Sequence, residues 1–207
     1  IDYSMGNVQS LMNGLKHIGA NVKLTSKKEL IEKADIIALP GVGAFPEGMK
    51  QLKKNNLVEI IKNKIKDGGA IIGICLGMQL LFEESNEYRN CEGLGLIEGN
   101  IERLTDKDKN GDSIILPNVG WNKLDLSKEN SEWYGKSEKE LYQYFVHSYG
   151  AIKGKIKSEY GFFESLHGDQ QYFSAVRKHK IIGLQFHPER SGVDGLEILL
   201  RTIEKLC

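Results

Sequence analysis

The chain has 207 residues, enough for one or two domains with adequate cores, and its 28 Lys plus Arg balance 28 Asp plus Glu to a formal charge of zero. Net charge therefore gives no reason to expect nucleic acid or an anionic membrane surface as a partner, and no apolar run approaches the ~20 residues of a membrane span. Three cysteines, odd in number and without CxxC spacing, argue against a disulfide framework and against a zinc site, so a soluble, cytoplasmic chain with reduced thiols is expected.

Residues 1–3 have the look of a strand end, because a turn signal at 4–7 follows at once; a few residues are expected upstream. Val8, Leu11, Met12, Leu15 and Ile18 then fall three or four apart, which predicts a helix over 8–18 stopped by Gly19. A short strand is expected at 21–24, a short helix at 27–33 and an apolar strand at 34–40. Helical spacing returns at 57–66, closed by Asp67-Gly68-Gly69 before the strand 70–74 and a helix at 76–83. Strands apolar on both faces alternating with helices indicate a parallel sheet covered on each side. After Gly93 the pattern changes to strands at 100–104, 113–117, 142–147, 172–177 and 181–186, several of them antiparallel, with a hairpin around Lys178-His179-Lys180 and a final helix carrying Leu196, Leu199, Leu200 and Ile203 on one side. No Pro- or Ser-rich linker and no repeat divides the chain, so residues 1–207 are expected to form one domain.

Gly73-Ile74-Cys75-Leu76-Gly77 has the G-x-C-x-G spacing of a strand-turn-helix nucleophile elbow. A residue at such an apex is strained and closely backed by strand and helix, so the positions two before and two after must be small. The sulfur would sit at the first turn of the following helix, with the Leu76 N–H left free for an oxyanion. A lone cysteine in an apolar strand is also ordinary packing, and the elbow alone leaves both readings open. Of five histidines, His147 and His187 end apolar strands, where sites gather in α/β folds. Pro188 forces His187 out of helical geometry, and in a continuing extended chain Glu189 would lie on its side, able to orient the imidazole as in a nucleophile, base and carboxylate triad.

GICLGMQLLFEES, GLQFHPERSG, PGVGAF, PNVGWN, YFVHSYGA and the opening IDYSMGN together resemble class I glutamine amidotransferases over nearly the whole chain, and most of all the glutaminase subunits that serve imidazole glycerol phosphate synthesis. The resemblance implies a three-layer α/β/α fold, flavodoxin-like, around a central mixed, largely parallel sheet. It implies hydrolysis of L-glutamine to glutamate and ammonia, with Cys75 as nucleophile, His187 as proton shuttle and Glu189 as its orienter, and with no metal or cofactor. Leu76 and the Val42–Gly43 region would form the oxyanion hole, the latter held misoriented until a partner engages. Gly43, Gln79, His147, Ser148 and Tyr149 would hold the substrate. A chain of this size lacks room for a (β/α)8 synthase barrel of ~250 residues, so ammonia would pass to such a subunit in a heterodimer. Its docking surface would include Asn7, Pro117, Asn118, Trp121 and Arg190. Where family members usually have P-H-x-G-W-N and H-P-E-K, this chain has Pro117-Asn118-Val119-Gly120-Trp121-Asn122 and His187-Pro188-Glu189-Arg190, which raises a second recipient, an amidino-sugar synthase.

Overall fold

A computed structural model describes residues 1–6, 8–126 and 140–207. Its first half is built from α1 (Val8–His17), α2 (Lys28–Lys33), β1 (Ile36–Leu39), α3 (Phe45–Lys54), α4 (Leu57–Lys66), β2 (Ala70–Ile74) and the single turn α5 (Leu76–Gln79). The second half contains β3 (Phe82–Ser85), β4 (Cys91–Glu92), β5 (Ile97–Arg103), β6 (Asn118–Leu126), β7 (Leu141–His147), β8 (Tyr149–Ile152), β9 (Gly161–His167), β10 (Gln170–Lys178), β11 (Ile181–Leu184) and the last helix, α6 (Gly192–Leu206).

The sheet runs β1-β2-β11-β10-β8-β5-β3-β4, with the β6–β7 hairpin joined to it through β9. It is mixed, and its parallel pairs are β1–β2, β2–β11 and β3–β5, the others being antiparallel. Two apolar cores flank it, which makes three layers. Ile71 and Leu39 point into one with Ile31, Leu52 and Ile61 from α2, α3 and α4. Ile72 and Ile74 point into the other with Leu11 and Leu15 of α1 and Ile198 and Leu199 of α6. Successive residues of one strand thus supply opposite cores, which is why β1 and β2 are apolar throughout.

Three expectations need correction. Residues 21–24 form no strand, although Asp2 N–H donates to Thr25 O beside them (2.8 Å) and Ile1 N to Ala38 O (2.7 Å). The helix expected at 76–83 ends at Gln79, because Leu94, Leu96 and Ile97 send their N–H groups to the Leu80 and Leu81 carbonyls and Phe82–Ser85 pairs with β5. Residues 113–117 contribute only an isolated bridge, Lys107 to Ser113, and the strand begins at Asn118. The sequence reading also omitted α3, whose Phe45, Met49 and Leu52 are fully buried with Pro46 in the first turn, where a missing N–H costs nothing. Among the described residues no helix is long and apolar enough to cross a membrane.

Candidate active site

β2 delivers Cys75 to the point where the chain bends into α5. The residue has φ 54 and ψ −112, a backbone state that side-chain-bearing residues seldom adopt. It is held there from both sides: Cys75 N–H donates to Leu184 O of β11 (2.7 Å), and its carbonyl accepts from Gln79 N–H (3.2 Å). The flanking glycines are required by contact. A Cβ at Gly77 would lie 1.9 Å from Leu39 O, and one at Gly73 would lie 2.5 Å from Gly77 O. The sulfur is buried, with Val146 O and Gln185 Nε2 each at 3.8 Å.

His187 arrives from the neighbouring strand, β11, its N–H bonded to Tyr144 O of β7 (2.9 Å). Glu189 meets it as anticipated but by another path. The chain turns into a 3-10 helix at Pro188–Arg190 instead of staying extended, and this turn brings Glu189 Oε1 to 2.8 Å from His187 Nδ1. Ser191 Oγ pins the turn by donating to His187 O (2.7 Å), and α1 packs onto it through Gly14, where a Cβ would lie 3.1 Å from Glu189 Cβ. His187 Nε2 is buried without a hydrogen-bond partner among the described residues. Burial opposes charge on this imidazole, but Cys75 and Glu189 outweigh burial and hold it protonated up to about 10. Nδ1 is thus committed to Glu189, and Nε2 is the nitrogen left to exchange a proton with the sulfur.

The loop Pro40–Ala44 closes over this set. Tyr3 Oη donates to Pro40 O (2.5 Å), and Phe45 N–H at the far end donates to Glu87 Oε2 (2.7 Å). The Leu76 N–H is not free as expected, because it donates to Gly41 O at 3.3 Å. The loop thus presents a carbonyl where an oxyanion hole needs a second N–H. Val42 and Gly43, the latter at φ 105, lie exposed above it. Beneath the loop is a cavity of about 40 Å³ lined by Ser10, Gly41, Val42, His187 and Glu189 among others. That is room for a water but far less than the ~300 Å³ of an ordinary small-molecule pocket. A larger groove of about 530 Å³ between α1, α2 and β1 contains none of the triad residues.

Of the residues assigned to substrate, Gln79 and His147 turn inward. Gln79 donates through Nε2 to Tyr149 O (2.8 Å) and to Gln185 Oε1 (3.0 Å). His147 Nδ1 donates to the same Tyr149 O (2.8 Å), while its Nε2 accepts from Asn118 Nδ2 (3.2 Å); burial lowers this imidazole to about 4 and keeps it neutral. Ser148 and the Tyr149 side chain stay half-exposed beside them. Gln185, a fully buried amide hidden in the apolar run IIGLQF, was not among the expected site residues.

Of the docking residues, Asn7 lies outside the described residues. Pro117, Trp121 and Arg190 are exposed, as is Val119. Trp121 meets the Tyr144 ring edge-on at 6.3 Å, and the Arg190 guanidinium lies 4.7 Å over that ring. Asn118 is only 8 % exposed, its side chain turned inward and bonded to His147 and Tyr172. Strand alternation explains this, since Val119 and Trp121 face out and their neighbours face in.

A strained cysteine elbow, a histidine held by a carboxylate and a glycine-lined loop over both have the composition of a nucleophile, base and carboxylate site. The glutamine amidotransferase class-I family model matches residues 1–204, and the chain belongs to that family. The imidazole glycerol phosphate synthase subunit HisH of Bacillus cereus (strain G9842) is 42 % identical over 203 residues, covering 96 % of this chain and 90 % of that protein. The protein of the same name from Lactococcus lactis subsp. lactis (strain IL1403) is 38 % identical over 206 residues, covering 100 % and 97 %. A crystal structure of a glutamine amidotransferase superposes with a TM-score of 0.72 at 19 % identity, covering 98 % of this chain and 95 % of that one, a likeness of fold.

Proposed function

We propose that this chain is the glutaminase subunit of an imidazole glycerol phosphate synthase. It hydrolyses L-glutamine to L-glutamate and ammonia in histidine biosynthesis and passes the ammonia to a separate synthase subunit of (β/α)8 type. The observation that carries the chemistry is the Cys75–His187–Glu189 set, with His187 Nδ1 bound at 2.8 Å by Glu189 and its protonated state sustained by Cys75. The sulfur attacks the side-chain amide carbon, and the thiol proton resides on His187. The tetrahedral intermediate collapses as His187 gives its proton to the amide nitrogen, which leaves as ammonia, and a thioester remains on Cys75. Water, deprotonated by His187, then releases glutamate and restores the thiol.

The intermediate's oxygen needs two N–H donors. One rotation of the Gly41–Val42 peptide supplies both: it withdraws Gly41 O from the Leu76 N–H and turns the Val42 N–H toward the site. Glycine at 41 makes that rotation inexpensive. The closed state suits an enzyme that must not release ammonia without an acceptor, and the exposed Trp121–Tyr144–Arg190 surface, one residue from Glu189, suits the partner that opens it. The relatives named as imidazole glycerol phosphate synthase subunits support this recipient over an amidino-sugar synthase.

The test is glutamate release by the purified chain alone and with an equimolar (β/α)8 synthase subunit. Stimulation in a one-to-one complex and loss of turnover in Cys75→Ala are expected; near wild-type turnover by Cys75→Ala refutes the nucleophile assignment.

A further inference from the structure

His187 supplies the positive charge beside the Cys75 sulfur, and the proposed chemistry leaves open which uncharged groups donate to that sulfur. The Leu76 N–H is occupied by Gly41 O, and α5 is a single turn too short for an appreciable dipole. Val146 O, 3.8 Å away, can only accept from the sulfur and so favours the neutral thiol. Besides His187, the side-chain donor facing the sulfur is Gln185 Nε2, also at 3.8 Å.

The orientation of that amide is determined by a chain of bonds. Gln79 Nε2 faces two oxygens, Tyr149 O and Gln185 Oε1, so reversing the Gln79 amide would set oxygen against oxygen. With Oε1 of Gln185 committed to Gln79, only its NH2 can face the sulfur. Tyr149 O is itself fixed, because it also accepts from the neutral His147, whose other nitrogen takes the Asn118 N–H. Gln185 cannot swing away, being fully buried with its own N–H bonded to Ser174 O (2.9 Å).

We infer that Gln185 is a positioning residue that bonds the Cys75 sulfur through its amide N–H and favours the thiolate, and that Gln79 acts on the sulfur by fixing the Gln185 amide. An N–H bond to an anion is stronger than one to a neutral acceptor, so the preference follows from the geometry. The inference rests on the glutaminase reading for its importance, but the thiol can be titrated without glutamine or partner.

The experiment measures the pH dependence of Cys75 alkylation by iodoacetamide in the full chain carrying Cys91→Ser and Cys207→Ser, with Cys75→Ala as the blank. Gln185→Leu is expected to raise the midpoint by about one pH unit, a tenfold smaller thiolate fraction at neutral pH. Gln79→Leu should raise it less, and the double variant should match Gln185→Leu alone. If Gln185→Leu fails to fold, Gln185→Met and Gln79→Leu make the same comparison. An unmoved midpoint in the folded variants overturns the inference, as does additivity of the two substitutions. Neither result depends on glutamine turnover, so a failure here is separate from a failure of the proposed function.

Discussion

Gly77→Ala tests how tightly the elbow is built. A Cβ at position 77 would stand 1.9 Å from Leu39 O and 2.8 Å from Leu39 C, both backbone atoms of β1 that no rotamer change can move. Restoring an ordinary contact of about 3.4 Å needs a shift of roughly 3.4 − 1.9 = 1.5 Å between α5 and β1. Overpacking of this kind costs about 3 kcal/mol, the upper part of the usual range. For a domain of this size that lowers Tm by roughly 6–12 °C at about 2–4 °C per kcal/mol. Cys75 is carried on the displaced turn, and a misplacement of about 1 Å in a catalytic group lowers turnover on the order of a hundredfold. Gly150→Ala is the matched control: its Cβ would find nothing nearer than His147 Cε1 at 3.7 Å, so a change within about 0.5 kcal/mol is expected. Thermal unfolding and glutamate release measured on both variants decide the matter. A Gly77→Ala protein with the parent's Tm and turnover would refute the contact argument for the G-x-C-x-G spacing.

Three further outcomes are expected. The folded state keeps His147 neutral down to about 4, while the unfolded chain takes up the proton near 6.5, so unfolding binds a proton in that window and stability falls as pH drops through it. Urea unfolding at several pH values should show a loss of about 3 kcal/mol that shrinks in His147→Gln; the same acid slope in both proteins would remove His147 as its source. Glu189→Gln takes away one of the two groups holding the His187 imidazolium, so the ring resonance followed by NMR should titrate below about 10 and glutamate release should fall at least tenfold; an unmoved titration would contradict the pairing. Trp121→Ala removes a 56 % exposed side chain and should leave Tm unchanged while weakening synthase binding by about 2 kcal/mol in a calorimetric titration, with full affinity counting against this surface.

Local signals carried much of the fold and the triad. The bounds of α4 and β2 match the expected 57–66 and 70–74 because helical spacing and an apolar run each end at a glycine-bearing turn. Cys75 and His187 stood out because glycine spacing and a proline constrain the backbone within a few residues. The misreadings arise where distant groups decide. Residues 80–83 had helical spacing, but N–H donors from 94–97 claimed the carbonyls a helix would have used. In the first part of β6 the alternation is inverted, with Val119 and Trp121 outward and Asn118 inward, so burial there could not be read from polarity. Gly41 O on the Leu76 N–H is a tertiary contact between two loops and leaves no trace in sequence. Gln185 left one faint sign, a lone polar side chain in an apolar strand two residues before His187.

The central claim is that Cys75 becomes covalently acylated by glutamine. Acid quenching of the chain during turnover with its synthase partner, followed by peptide mass analysis, tests it most directly. A glutamyl thioester on the peptide containing Cys75, absent from Cys75→Ala, is the predicted result. Glutamate formed with no adduct on that peptide, or an adduct on Cys91 or Cys207 instead, would contradict it.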